Sequence, residues 1–148
     1  MKKIITLLTL FLLLCACSKS STPENPNLPL NAQNITGVWY FSKVIQPNGE
    51  VLNYINPCTT KRDQVEFYVY QSVREKLYSD LCGNSFYSYQ CQGYEIHEGN
   101  RLKNCSDKYN GICTITANTI QIDYGMSIYF GNPENNMTYA KGIILTRN

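Results

Sequence analysis

The feature that most constrains the fold is a succession of short strand-like segments separated by turn residues. The segment at residues 64–70 shows this pattern most clearly, because Val65, Phe67 and Val69 alternate with polar or aromatic neighbours at the two-residue period of a half-buried strand. Beyond residue 34, apolar runs rarely exceed a few residues, which favours strands over helices with a 3.6-residue stripe. We expect strands at residues 36–45, 51–55, 64–70, 74–81, 85–96, 112–116, 119–124, 127–130 and 139–147.

Turn residues connect these strands in sequence order. Pro47-Asn48-Gly49 follows the first strand, and Ala117-Asn118 joins the clearest hairpin. The long polar run at residues 97–111 is predicted to be a loop that overhangs one end of the domain. About eight sequential strands without convincing helices predict an all-β, antiparallel up-and-down meander that closes into a barrel, because closure removes exposed edges. Residues 35–148 suffice for one such domain.

Residues 1–16 are typical of an export signal. Lys2 and Lys3 precede an uncharged run at residues 4–14, which has the length of a secretory signal and is too short to span a bilayer. The following Leu14-Cys15-Ala16-Cys17 resembles the lipobox of bacterial lipoproteins, with a small residue directly before the modified cysteine. This resemblance implies acylation of Cys17 by fatty acids such as palmitate, and therefore a membrane anchor. An ordinary signal peptide with cysteines near its end is the alternative.

Residues 17–34 are predicted to be the lipidated cysteine and a flexible tether. The segment at residues 18–34 is rich in serine, asparagine and proline, and it has almost no apolar surface to bury. Ser18 is not the aspartate associated with retention in the inner membrane, and no acidic run follows it. The resemblance therefore implies a location in the cell envelope, at an outer membrane and facing the periplasm.

The charge balance argues against nucleic acid as a partner. The chain has 13 Lys and Arg residues against 11 Asp and Glu residues, and two of the lysines lie in the predicted signal. The remaining chain lacks the cationic excess that nucleic-acid binders need. Metal or thiol-exchange chemistry is also disfavoured, since no Cys-x-x-Cys occurs and His97 is the only histidine. Without a nucleophile elbow or triad spacing, we expect a non-enzyme with no catalytic residues, metal or cofactor.

The cysteines after Cys17 predict disulfides, because export leads to an oxidising compartment. Two disulfides and one free thiol are the leading arrangement, and the sequence alone does not choose among the pairings. We favour Cys82 with Cys91 across a local loop, and Cys58 with Cys105 between an early turn and the long polar run. Cys113 would then be a buried free thiol.

Several of these features together resemble the lipocalin-like bacterial lipoproteins, whose domain is a calycin-type barrel. Gly37-Val38-Trp39 matches the Gly-x-Trp of the first barrel strand, Asn48-Gly49 the following turn, and Asn118-Thr119-Ile120 a later hairpin. The resemblance implies that Trp39 plugs the closed end of the barrel and that Arg147 packs across this tryptophan. A solvated terminal charge is the alternative for Arg147.

Tyrosines are the candidate ligand-binding residues. Tyr68, Tyr70, Tyr87 and Tyr89 fall in predicted strands, where they could line a barrel and grip an apolar or aromatic ligand. Tyrosine also suits half-exposed strand faces without any ligand. Our first functional hypothesis is a membrane-anchored, non-catalytic module that binds a small apolar or amphipathic molecule in the barrel mouth. The second is a protein-binding envelope module, an inhibitor or assembly factor, that acts through the loop at residues 97–111.

Overall fold

The computed structural model of the chain describes residues 26–85, 88, 90–133 and 136–147. They form an all-β fold with one short helix, α1 (Ala32–Ile35), and a 3₁₀ turn at Asp107–Tyr109. Within these residues, no helix has the length and apolar character needed to cross a bilayer. The strands are β1 (Gly37–Ile45), β2 (Val51–Asn53), β3 (Gln64–Phe67), β4 (Ser72–Lys76), β5 (Gln90–Gln92), β6 (Tyr94–His97), β7 (Arg101–Asn104), β8 (Gly111–Ile115), β9 (Thr119–Asn132) and β10 (Asn136–Thr146).

The strands form a nearly closed antiparallel barrel. Their order is β5-β4-β3-β1-β10-β9-β8-β7-β6, and β2 pairs with β1 outside this path. The two ends of the order, β5 and β6, follow one another in the chain with only Gly93 between them. Gly93 has a φ of 105°, which lets the chain bend so that β5 pairs with β4 while β6 pairs with β7. The barrel is therefore an up-and-down meander joined through one bent segment, which confirms the predicted fold class.

The two ends of the barrel differ in what covers them. At one end, called the floor below, lie the start of β1, the end of β10 and the turns at residues 68–71, 98–100 and 116–118. The opposite end, called the mouth, carries the β1–β2 hairpin, the loops before β3 and after β4, and the 3₁₀ turn. β1 pairs with β10 only as far as Gly142. Residues 128–132 and 136–140 of the β9–β10 hairpin therefore extend past β1 at the mouth, and we call this part the flap.

Side chains fill the interior of the barrel. Successive residues of a strand point to opposite faces, so alternate residues of each barrel strand meet inside. A barrel of about eight strands is just wide enough to be filled in this way. The largest buried side chains are Trp39, Tyr94, Tyr109, Phe67, Phe130, Ile35, Leu77, Leu102, Ile115, Ile120, Ile122 and Ile143.

Trp39 seals the floor. Its ring is fully buried, and its indole N–H donates a hydrogen bond of 2.7 Å to the Ile35 carbonyl. The Arg147 guanidinium lies 3.9 Å from the centroid of the Trp39 ring and donates to the carbonyls of Asn34 and Thr36 at 2.9 and 2.7 Å. Arg147 therefore packs across Trp39, as the resemblance implies, and is not a solvated terminal charge.

The chain reaches this floor along a segment that packs on it. The Leu28 N–H donates to the Ile115 carbonyl at 2.7 Å, and Leu30 is buried. Asn31 caps α1, because its side chain accepts a hydrogen bond of 2.8 Å from the Asn34 N–H. The predicted tether, which ran to Asn34, is thus too long. Residues 28–34 belong to the domain, since two leucines give this polar segment enough apolar surface to dock.

Several predicted element boundaries are wrong. The strand predicted at residues 74–81 is β4, which begins at Ser72 and ends at Lys76, and the strand predicted at residues 85–96 is divided at Gly93 into β5 and β6. Residues 97–111 are not one loop, because they contain β7 and the 3₁₀ turn, from which Leu102 and Tyr109 point into the core. The strands predicted at residues 119–124 and 127–130 are one strand, β9. The strand predicted to end at Tyr70 ends at Phe67, and Val69 lies 65% exposed in the following turn.

Both predicted disulfide pairings are also wrong. The structure joins Cys58 to Cys82 and Cys91 to Cys105, with Cα–Cα distances of 4.9 and 6.4 Å. The first bond links the loops that flank the β3–β4 pair at the mouth. The second bond forms because closure of the barrel brings β5 close to the residue that follows β7. Cys113 is free and buried, as predicted.

Candidate functional site at the barrel mouth

A buried carboxylate, Asp63, joins three elements at the mouth. It accepts hydrogen bonds from the Tyr54 hydroxyl at 2.6 Å, the Tyr78 backbone N–H at 2.7 Å and the Asn132 side chain at 2.9 Å. Asn132 also donates to the Tyr78 carbonyl at 3.0 Å. Burial, reinforced by Asp63, raises the pKa of Tyr54 and keeps its hydroxyl a donor. Because Asn132 ends β9, this network ties the flap to the loops around β3 and β4.

A second buried carboxyl group, Glu75, lies inside the barrel between Val73 and Leu77. One of its oxygens accepts a hydrogen bond of 2.9 Å from the Lys108 ammonium, and the other accepts one from the Tyr109 hydroxyl. Burial raises the pKa of Glu75, and these two partners act in the opposite sense. Both oxygens thus have partners within the protein, which suits a structural role that holds the 3₁₀ turn against β4.

An aromatic cluster completes the covering of the mouth. The ring centroid of Phe41 lies 5.1 Å from that of Tyr54 and 5.5 Å from that of Phe130. Phe41 comes from β1, Tyr54 follows β2, and Phe130 comes from the flap. Edge-to-face and tilted ring pairs of this kind stabilise beyond the area they bury. The interior is therefore closed at the floor by Trp39 and at the mouth by these rings and the Asp63 network.

An apolar groove opens outside this covering, between the flap and the β1–β2 hairpin. Its volume is about 160 Å³. A dry cavity of about 150 Å³ is known to hold benzene, so the groove has room for one ring-sized apolar group. Leu52 is the register partner of Val44 and faces the same side, while Ile55 is 60% exposed. The lining residues are Val44, Leu52, Asn53, Tyr54, Ile55, Met137 and Thr138, and none of them carries a charge.

Beside this groove, β2 presents an unpaired backbone edge. All three of its residues are exposed, and in the described parts of the chain it pairs only with β1. The Tyr54 N–H donates to the Ser42 carbonyl, and the Gln46 N–H donates to the Glu50 carbonyl. These two bonds show which residue pairs of the hairpin are hydrogen-bonded to each other and which lie between them. In an antiparallel pair, the residues between such bonded pairs direct both backbone groups away from the neighbouring strand. The N–H and C=O groups of Val51 and Asn53 therefore point outward.

Two of the tyrosines predicted to line the barrel, Tyr68 and Tyr70, do not do so. Tyr70 is 92% exposed in the β3–β4 turn. Tyr68 follows Phe67, which points inward, so its ring lies outside, where its hydroxyl bonds Glu66 and Arg74 stacks 5.6 Å from the ring centroid. The prediction failed because inward and outward faces alternate, and the inward face is already occupied by Val65 and Phe67. Tyr87, Tyr89 and the predicted lipidation site Cys17 lie outside the described residues.

Sequence reasoning missed the residues that build the mouth. Glu75 could have been found, because Val73, Glu75 and Leu77 alternate and so share the inward face. Asp63 and Asn132 could not be found from an alternating pattern, since both lie at strand ends. They come into contact only because the flap brings Asn132 to the loop that precedes β3. The groove could not be predicted from the sequence either, because two of its lining residues, Leu52 and Met137, are far apart in the chain.

Among the residues that the structure describes, no cluster of three or more His, Cys, Asp and Glu side chains is arranged to hold a metal. His97 is exposed and bonds Glu95 at 2.9 Å on the barrel wall. Exposed apolar side chains and backbone amides beside the groove can bind through burial and hydrogen bonding, and charged side chains such as Glu50 and Lys61 are exposed in the surrounding loops.

Comparison with known proteins finds no relative. No protein-family model matches this chain, and neither a curated protein nor a solved structure matches it. Any functional assignment therefore depends on the residues and geometry of the chain itself.

Proposed function

We propose that this chain is a non-catalytic, protein-binding module of the cell envelope that engages its partner through the mouth of a lipocalin-like barrel. The module would be held at a membrane, an outer membrane facing the periplasm, by lipidation of Cys17. The proposal combines a lipobox-like segment with a barrel whose recognition features lie on its surface.

The observation that carries the proposal is a filled barrel beside an exposed groove. Trp39, Phe67, Tyr94 and Tyr109 occupy the interior, and the Asp63 network and its neighbouring rings cover the mouth. An interior ligand would have to displace these side chains. A partner that binds the outside of the mouth meets an apolar groove and needs no such displacement.

The path of the chain before β1 also supports binding at the mouth. Leu28 and α1 pack on the floor, so an anchor at Cys17 would join the domain on its floor side. The mouth would then point away from the lipid surface. The Cys58–Cys82 disulfide connects two loops at the mouth, where it restricts the chain beside the groove.

A second candidate is the binding of a small amphipathic molecule by the same groove. The uncharged, mainly apolar lining favours this alternative. Its volume of about 160 Å³ is small against the roughly 300–1,000 Å³ of typical ligand pockets. Such a ligand would therefore insert one apolar group and leave the rest of its body outside.

Site-specific photocrosslinking in cells tests the proposal. A photoreactive phenylalanine replaces Ile55, which lines the groove and is 60% exposed. The control replaces Ile112, which is 48% exposed on the barrel wall in β8. Irradiation of the full chain should give a discrete adduct with another protein from position 55 and none from position 112.

The mass of the adduct separates the alternatives. A protein-sized increase at position 55 supports the proposal, and a small-molecule increase supports the second candidate. The same adducts from both positions, or none from position 55, would overturn the assignment of the mouth as the binding surface.

A further inference from the structure

We infer that the partner contributes an extended segment, which adds as a strand to the free edge of β2 and places one uncharged apolar side chain in the groove. This inference rests on the proposed function and specifies how the mouth recognises its partner. It joins two features that lie side by side: an unpaired strand edge and a small apolar groove.

The free backbone groups of β2 are best paired by an extended peptide. Val51 and Asn53 each direct an N–H and a C=O away from β1, and all three residues of β2 are exposed to solvent. Alternating donors and acceptors at this spacing are satisfied by another strand, which is how strand-adding domains obtain affinity. A lipid or an aromatic metabolite has no matching series of donors and acceptors.

The groove has room for one apolar side chain of that peptide. Leu52 faces it from the middle of β2, and Met137 faces it from the flap. A strand added beside β2 would direct every second side chain to this same face. The first of these would enter a space of about 160 Å³ with no charged lining residue, so a neutral aromatic or branched aliphatic side chain fits. A charged side chain would lose its hydration without gaining a partner.

Proline substitution separates strand addition from groove filling. Proline removes an N–H, and it is tolerated on an edge where that N–H faces solvent. Val51→Pro and Asn53→Pro therefore remove one outward donor each and leave the bonds between β1 and β2 in place. Val51→Ala is the matched control, because it keeps the donor and Val51 does not line the groove. Each variant is combined with the photoreactive residue at position 55 in the full chain in cells.

We expect each proline variant to lower the yield of the partner adduct at least tenfold, and Val51→Ala to leave it within about twofold. An unchanged yield in folded proline variants would overturn strand addition while leaving the mouth as the binding surface. The absence of the adduct from the parent with the photoreactive residue would instead refute the proposed function itself. An adduct with a second copy of this chain would show edge-to-edge pairing and would also overturn the inference.

A second measurement does not depend on the proline variants folding. The partner segment found in the adduct is synthesised as a peptide, and amide exchange is followed in the parent chain. Strand addition predicts slower exchange at Val51 and Asn53, whose amides are otherwise unpaired. Unchanged exchange at both amides, with the peptide bound, would overturn the inference.

Discussion

Replacing Trp39 with alanine should remove a large part of the stability of the domain. The indole ring is 0% exposed, and truncation of a buried aromatic residue to alanine costs about 3–5 kcal/mol. The Ile35 carbonyl loses its donor, and Arg147 loses the ring on which it stacks, each worth roughly 1 kcal/mol. These contributions overlap, so we expect a loss of about 4–6 kcal/mol out of the roughly 5–15 kcal/mol of a typical domain.

Urea unfolding followed by circular dichroism measures this loss. Tryptophan fluorescence is unsuitable, because Trp39 is the only tryptophan in the chain. The matched control is Val38→Ala, one residue earlier on the same strand and only half-buried, which should cost about 1 kcal/mol or less. If Trp39→Ala lost no more stability than Val38→Ala, the assignment of Trp39 as the seal of the floor would be refuted.

Three further predictions concern Glu75 and the two disulfides. Because burial raises the folded-state pKa of Glu75, stability should fall as pH rises from the ordinary glutamate pKa of about 4.3 through the raised value. Glu75→Gln should remove this component, so parallel pH curves of urea midpoints for the two proteins would contradict the reasoning. Replacing Cys58 and Cys82 together with serine opens a link across 24 residues and should cost about 3 kcal/mol in the same unfolding assay. Peptide mapping without reduction should recover Cys58–Cys82 and Cys91–Cys105, and a Cys58–Cys105 peptide would contradict these pairings.

The barrel could be predicted from the sequence because its main signals are local. The alternation around Val65 and Phe67 identifies a half-buried strand by itself, and the hairpin at Asn118 needs only its own neighbours. Trp39 was also predictable as a floor residue through the Gly-x-Trp resemblance. Local signals of this kind fix the strands and their order, since consecutive strands usually pair.

The Cys91–Cys105 disulfide and the Asp63 network at the mouth could not be predicted, because they depend on how the barrel closes. Cys91 meets Cys105 only after the bend at Gly93 brings β5 beside the end of β7. Asp63 meets Asn132 across the barrel mouth, 69 residues away in sequence. β7 was assigned to a loop for a related reason: in a strand of four residues, Leu102 alone gives too weak an apolar signal among charged neighbours.

If recognition takes place on the mouth and not inside the barrel, a small molecule should bind at the groove or not at all. A thermal-shift screen of the unlipidated domain against lipids, haem-like compounds and aromatic metabolites tests it directly. The parent domain is screened beside Ile55→Asp, which places a charge in the groove. A ligand at a hundred times its dissociation constant would stabilise a folded protein by about 2.7 kcal/mol. We predict no compound that stabilises both proteins; one that stabilises them equally would show a binding site away from the groove and contradict recognition at the mouth.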